Sequence, residues 1–224
     1  MRTKILLTIA ILFCIAFTSN AQINKGNILL GGSFNFGSTK NIQPYYNNDY
    51  KYKSIFANIQ IGKVVKENTI AGLIFSYSYS GQHPTNFPDS NFNKNNQYSA
   101  GVFYRRYKKL LNNFYFFGEV DGMYIYSQNS QGYLQDGSDK VKVISNGGSV
   151  SFVPGISYGI CKSLQVELSM PNIISLSYLS SKINYTTPPT VNVNTKGNNF
   201  SFNANLNSNF LSNFGIGFKF LLGK

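Results

Sequence analysis

The sequence predicts an all-β chain: an eight-stranded antiparallel up-and-down transmembrane β-barrel with short periplasmic turns and long external loops. Three observations predict it. Apolar and polar residues alternate with period two through most of the chain, the pattern of strands with two unlike faces. The alternating segments are joined by long and short connections in turn. Charged residues make up only 12% of the 224 residues while aromatics make up 16%. A soluble domain carries about a quarter charged residues. The balance here suits a surface that is apolar on one face and polar on the other.

The N-terminus reads MRTKILLTIAILFCIAFTSNAQ. Arg2 and Lys4 form a positive start, residues 5–17 an uncharged apolar core, and Ser19-Asn20-Ala21 the small residues that a signal peptidase reads. Residues 1–21 are therefore expected to be a secretory signal peptide, and residues 22–224 the barrel domain. Bulky Phe13 before Cys14 argues against a lipoprotein signal. Beyond this leader no stretch approaches the ~20 apolar residues of a spanning helix. A membrane span in the mature chain would have to be made of strands closed into a barrel, the other way to satisfy backbone groups in lipid. One cysteine, Cys161, then remains, which leaves no intrachain disulfide.

The first expected strand, Gly26–Ser38, puts Ile28, Leu30, Phe34 and Phe36 on one face, with Gly31, Ser33 and Asn35 on the other. Lys51–Val64 opposes Ile55, Ala57, Ile59 and Ile61 to Asn58 and Gln60. Thr69–Ser80 opposes Ala71, Leu73, Phe75, Tyr77 and Tyr79 to Gly72, Ser76 and Ser78. In Gln97–Tyr107, Tyr98, Ala100, Val102 and Tyr104 face away from Ser99, Gly101 and Arg105. Asn113–Ser127 sets Phe114, Phe116, Val120, Tyr124 and Tyr126 against Glu119 and Asp121. Ser149–Ile160 sets Val150, Phe152, Ile156 and Tyr158 against Ser151, Gly155 and Ser157. Leu164–Leu179 sets Val166, Leu168, Met170, Ile174, Leu176 and Tyr178 against Gln165, Glu167 and three serines. Asn199–Leu222 keeps Phe200, Phe202, Phe218 and Phe220 on one parity and Lys219 on the other.

Each segment reaches the ~9–11 residues that a tilted strand needs to cross the hydrocarbon. Connections after the odd-numbered strands are long and rich in Asn, Ser and Gly: residues 39–50, 81–96, 128–148 and 180–198. Those after the second, fourth and sixth are short: residues 65–68, 108–112 and 161–163. Outer-membrane barrels show this asymmetry, with short turns inside and long loops outside. Pro171 cannot donate to a ladder and predicts a bulge or interruption in the seventh strand. The seventh and eighth segments exceed the membrane's needs and are expected to form a hairpin projecting beyond the outer leaflet.

The net charge of +12 is spread along the chain, unlike a nucleic-acid patch. Lys51, Lys53, Lys63, Lys66, Lys108, Lys109 and Lys162 fall at expected strand ends. Cations there suit membrane interfaces and phosphorylated headgroups, so lipopolysaccharide is the expected partner.

The segments ANIQIGKVVKENTIAGLIFSYSYS, SAGVFYRRYKKLLNNFYFFGEVDGMY, FVPGISYGICKSLQVELSM and SNFGIGFKF resemble the small outer-membrane β-barrel domain family. That family is akin to the membrane domain of OmpA-type proteins and is often labelled porin-like. The resemblance covers nearly all of residues 22–224 and rests on Gly, aromatic and turn patterns. It implies an eight-stranded barrel of the Gram-negative outer membrane without a defined catalytic site. At the C-terminus the chain departs from it: many such barrels end on an aromatic, whereas Phe220 precedes Leu221-Leu222-Gly223-Lys224.

On the lumenal parity lie Arg105, Glu119, Asp121, Glu167 and Lys219. Eight strands leave an interior just wide enough for side chains to fill it. Burial of unpaired charge is costly, so these residues are expected to pair into a structural network that plugs the lumen. The sharper alternative is a gate or ion path. Glu119 and Asp121 share a strand face, as paired hydrolytic carboxylates would, but no histidine accompanies them. His83 is the one histidine, expected in the second long loop, and alone it specifies neither a lipid-modifying triad nor a metal site. Tyr45, Tyr46, Tyr50, Phe87, Phe92, Tyr133 and Tyr185 scatter aromatics among loop Asn and Ser, as recognition surfaces do. The expectation is a non-enzymatic barrel with a structural or surface-interaction role and no cofactor. A narrow porin-like channel for small solutes is the alternative, and a lipid A-modifying enzyme a remote one.

Overall fold

Two asparagines shape the first short turns. Asn68 (φ 58°) and Asn112 (φ 28°) sit at positive φ, where asparagine is tolerated better than most residues. They close the hairpins between β2 (Tyr50–Lys66) and β3 (Thr69–Pro84), and between β4 (Asn93–Leu111) and β5 (Phe114–Gly132). The register shifts just before each turn, at Val64/Lys66 and Lys109/Leu111. The third short turn, residues 160–163, joins β6 (Lys140–Gly159) to β7 (Leu164–Ser169) and carries the free Cys161.

The computed structural model describes residues 23–41, 49–84, 92–132, 140–170, 173–187, 191–204 and 215–223. The expected leader lies outside them. So do Pro171 and the loop aromatics Tyr45, Tyr46, Phe87 and Tyr133.

All described elements are strands, and every pairing is antiparallel. From β1 (Ile28–Asn41) each strand through β7 pairs with the next. The final strand, β10 (Gly215–Leu222), lies between β7 and β1 and closes an eight-stranded barrel. The closing ladder runs from Ile28 opposite Leu222 to Gly32 opposite Phe218.

The eight-strand barrel is thus as expected, but two strands are added to it. The seventh expected segment divides into β7 and β8 (Ile174–Thr187), and the eighth into β9 (Val191–Ala204) and β10. β6 is long enough to pair with β7 through Gly155–Gly159 and with β8 through Lys140–Phe152. Pro154, which lacks an N–H, stands between the two ladders; its carbonyl accepts from Met170 N–H at 2.9 Å. Leu168 and Ile174 keep the same parity across the break, so the apolar face is continuous.

Several residues expected in loops are strand instead. The β5–β6 ladder continues through Gln128 opposite Ile144 to Gly132 opposite Lys140, and β8 and β9 pair from Thr187–Val191 down to Ile174–Ala204. Side chains support these polar extensions: Ser145 with Ser181 and Ser177 with Ser201, both at 2.7 Å, and Asn129 donating to Asn93 at 3.1 Å. Loss of apolar alternation marks the end of the apolar belt, whereas the backbone ladder carries on beyond it.

The core lies inside the barrel at the turn end. Leu29, Val64, Ile70, Phe103, Tyr107, Tyr115, Phe117 and Leu221 fill it, and Ile23 lies across it as a lid, 2% exposed. The opposite parity points outward and is apolar: Ile59, Ile61, Leu73, Val102, Val120, Val150, Phe200 and Phe218 are exposed. Above this apolar filling the usual polarity is inverted, with charged and polar groups inside and hydrophobic groups outside.

Candidate functional site

Immediately above the apolar filling sits a cluster of buried charges. Arg105 and Glu119 are cross-strand partners on β4 and β5. Arg105 Nε donates to Glu119 Oε2 at 2.6 Å, and its Nη1 donates to Glu167 Oε1 on β7, also at 2.6 Å. Nη1 further contacts the Tyr107 hydroxyl at 2.9 Å, and that hydroxyl donates to Glu167 Oε1 at 2.9 Å. The guanidinium lies 4.4 Å above the Phe117 ring centre, so the apolar layer supports it as well as the carboxylates.

Lys219 enters from β10. Its Nζ donates to Gln60 Oε1 on β2 and stands 4.0 Å from Glu167 Oε2. Gln60 turns its amide to Glu119, donating from Nε2 to Oε1 at 2.9 Å. Gly31 is the residue opposite Lys219 on β1, and a Cβ there would collide with the lysine's Cδ. A glycine at that position lets a long cation fold into the crowded interior. Every member of the cluster is nearly removed from solvent; Arg105 is 2% exposed and Glu119 3%. Charges so buried are tolerated only when paired and hydrogen-bonded, as these are.

The structure brings together four of the five charged residues that parity assigned to the lumen: Arg105, Glu119, Glu167 and Lys219. Asp121, the fifth, lines the same interior, one lumenal position along β5. It is buried, and its Oδ1 has no hydrogen-bond partner. Two uncharged members, Gln60 and Tyr107, complete the cluster. Their parity was visible in the sequence, since Gln60 falls with Asn58 and Tyr107 with Arg105. Their capacity to bridge ions of separate strands was not.

On the long-loop side of the cluster is a cavity of about 700 Å³ walled by Ser33, Asn35, Asn58, Ser76, Ser99 and Ser149 among others. A further cavity of about 410 Å³ lies toward the strand tips, beside Thr39, Gln82, Asn93, Asn95 and Asn129. The lumen is therefore filled with side chains at the turn end and hollow and polar at the other. His83 belongs to β3, not to a loop, and its ring stacks on Phe92 with centroids 6.4 Å apart. Among the described residues no group of three His, Cys, Asp or Glu is placed to hold a metal ion.

The cluster contains acids and bases in mutual contact, with no nucleophile poised beside a free base. Chemically it is a tie: it joins β2, β4, β5, β7 and β10 across the interior. No protein-family model matches the chain, and no curated protein is significantly similar to it.

Proposed function

We propose that the protein is an integral barrel of a Gram-negative outer membrane, exported through a cleaved signal peptide at residues 1–21. Its role is non-enzymatic: it stabilises the envelope or presents its long-loop end to partners. The inverted polarity of the closed barrel carries this reading. An exposed apolar surface that encircles a whole domain is far larger than the patches soluble monomers display. The belt also has the internal order that a bilayer imposes. Exposed Phe114 and Phe116 on β5, Tyr158 on β6 and Phe220 on β10 stand toward its turn end, and exposed Tyr98 on β4, Tyr124 and Tyr126 on β5 and Tyr178 on β8 toward the other. Phe114 and Tyr124 on β5 lie about 33 Å apart along the strand at ~3.3 Å per residue. With a barrel tilt of about 40° this is about 25 Å in height, the depth of an outer-membrane apolar band.

In this reading the charged cluster plugs the lumen. The refolded protein is expected to insert into phosphatidylcholine vesicles and to pass no steady current in a planar bilayer. Failure to insert would defeat the membrane assignment. A stable open-channel conductance would favour the second reading, a narrow porin-like channel, for which the two polar cavities above the cluster speak. Arg105→Ala is expected to lower resistance to unfolding without creating a conductance.

A further inference from the structure

On the outer face of the β8–β9 hairpin the cross-strand rungs follow a graded order. Leu176 faces Phe202, then Tyr178 faces Phe200, then Ser180 faces Asn198, then Lys182 faces Lys196. The first two rungs belong to the apolar belt, and the last is a pair of like charges. Lys142, on the same face of neighbouring β6, lies diagonally beside it: its own partner is Asn184, and Lys182 stands opposite Ile144. Side chains directly opposed are about 5 Å apart at Cβ, and diagonal ones about 7–8 Å. All three lysines are exposed.

Directly opposed like charges destabilise a ladder. The chain has a second such pair, Lys40 opposite Lys51, and there it provides a counter-ion: Asp49 reaches Lys40 Nζ at 2.6 Å. Neither β8 nor β9 contains an acidic residue, and among the described residues none of Lys142, Lys182 and Lys196 joins an ion pair. Among the described residues these three cations share one spot with no acidic partner, which points to an anion from outside the chain.

We propose that Lys142, Lys182 and Lys196 form a binding site for the phosphate of a phosphorylated lipid headgroup in the outer leaflet. The inference rests on the membrane reading and goes beyond it by fixing the place and the chemistry. Height selects a lipid over a free anion. The lysine rung is four residues past the Tyr178–Phe200 rung, about 13 Å along the strand and about 10 Å in height after tilt. Headgroups fill about 5–8 Å beyond the hydrocarbon, so the rung stands just above them and its long lysine side chains reach down to their phosphates. A lipid seated there would lay its acyl chains over Tyr178, Phe200, Leu176 and Phe202 while its phosphate neutralises the rung.

The test uses the refolded protein in phosphatidylcholine nanodiscs doped with bis-phosphorylated lipid A or with its dephosphorylated form. Retention is read by native mass spectrometry for the wild type, Lys182→Gln and the triple variant Lys142→Gln/Lys182→Gln/Lys196→Gln. Each lysine near an anionic surface contributes about a fivefold preference, so the triple variant should lose about a hundredfold of the phosphorylated-lipid retention. The dephosphorylated lipid should be retained equally weakly by all three. Unchanged heat-shifted gel mobility shows that the variants still fold, since glutamine keeps the strand and the stem. Insertion into nanodiscs with wild-type retention in the triple variant overturns this site and leaves the membrane reading intact. Failure to insert at all defeats both. Displacement of the lipid by millimolar inorganic phosphate would mark a free-anion site and overturn the lipid assignment.

Discussion

Arg105 stands directly opposite Glu119 on the β4–β5 ladder, and the same guanidinium crosses the lumen to Glu167, 62 residues further along the chain. One side chain thus joins a local contact to a remote one. The hairpin partner fixes where Arg105 points, and the remote partner makes that direction useful for holding the barrel wall together.

Removing that cation leaves Glu119 and Glu167 buried without it. Breaking a buried ion pair from one side costs about 3–5 kcal/mol. Arg105→Met is expected to lower unfolding stability in detergent by that amount, followed by circular dichroism in urea. Arg105→Met combined with Glu119→Gln should recover part of the loss, because fewer orphaned charges remain. A single-variant loss below ~1 kcal/mol would show that the cluster is not a structural tie.

Glu119 and Asp121 should behave oppositely. Glu119 accepts from Arg105 and Gln60, whereas Asp121 Oδ1 has no partner and adds a third acid to two bases. Glu119→Gln is expected to destabilise. Asp121→Asn keeps the shape and removes an excess charge, so it should be neutral or stabilising. The same urea titration decides, and equal losses for the two variants would contradict the assignment.

The Tyr107 hydroxyl links Arg105 to Glu167 while its ring packs against Phe117, with centroids 5.6 Å apart. Tyr107→Phe keeps the ring and removes the link. A cost of about 1–3 kcal/mol is expected, the range for depriving buried charged groups of a hydrogen bond. Tyr107→Phe matching the wild type would mean that the hydroxyl is dispensable.

Glycine's smallness is expected to matter where a neighbour fills the space and to be irrelevant where none does. Gly31→Val must displace Lys219, whereas a Cβ at Gly197 meets nothing within 4 Å. Gly31→Val should lower the melting temperature markedly, and Gly197→Ala should leave it unchanged or raise it slightly. Indistinguishable melting temperatures would refute the packing argument for Gly31.

The barrel was legible because alternation records which way each side chain points, and parity alone placed Arg105, Glu119, Asp121, Glu167 and Lys219 on one inner surface. Pairing depends on stagger between strands, which a single strand's pattern does not contain. Hence Asp121 looked equivalent to Glu119 although only Glu119 meets Arg105. The parity of Gln60 and Tyr107 carries no sign of their bridging role, because that role comes from position rather than charge. The hairpin of β8 and β9 read partly as loop for a related reason. Asn184, Asn194 and Asn198 have weak strand propensity, and the ladder of β8 with β9 holds them in register.

The β1–β10 seam has a consequence for the order of assembly. Ile28 meets Leu222, so the wall is completed by the two most distant parts of the folded chain. Joining such remote segments carries the largest loop-closure penalty and favours a late event. Lys219 arrives with that same strand. Until β10 docks, Gln60 and Glu167 wait without their lysine, and Arg105 is the one cation in the cluster. Closing the wall and supplying the second interior cation are therefore a single step, and a chain stalled before it would carry both an open edge and a Gln60–Glu167 pair without its lysine.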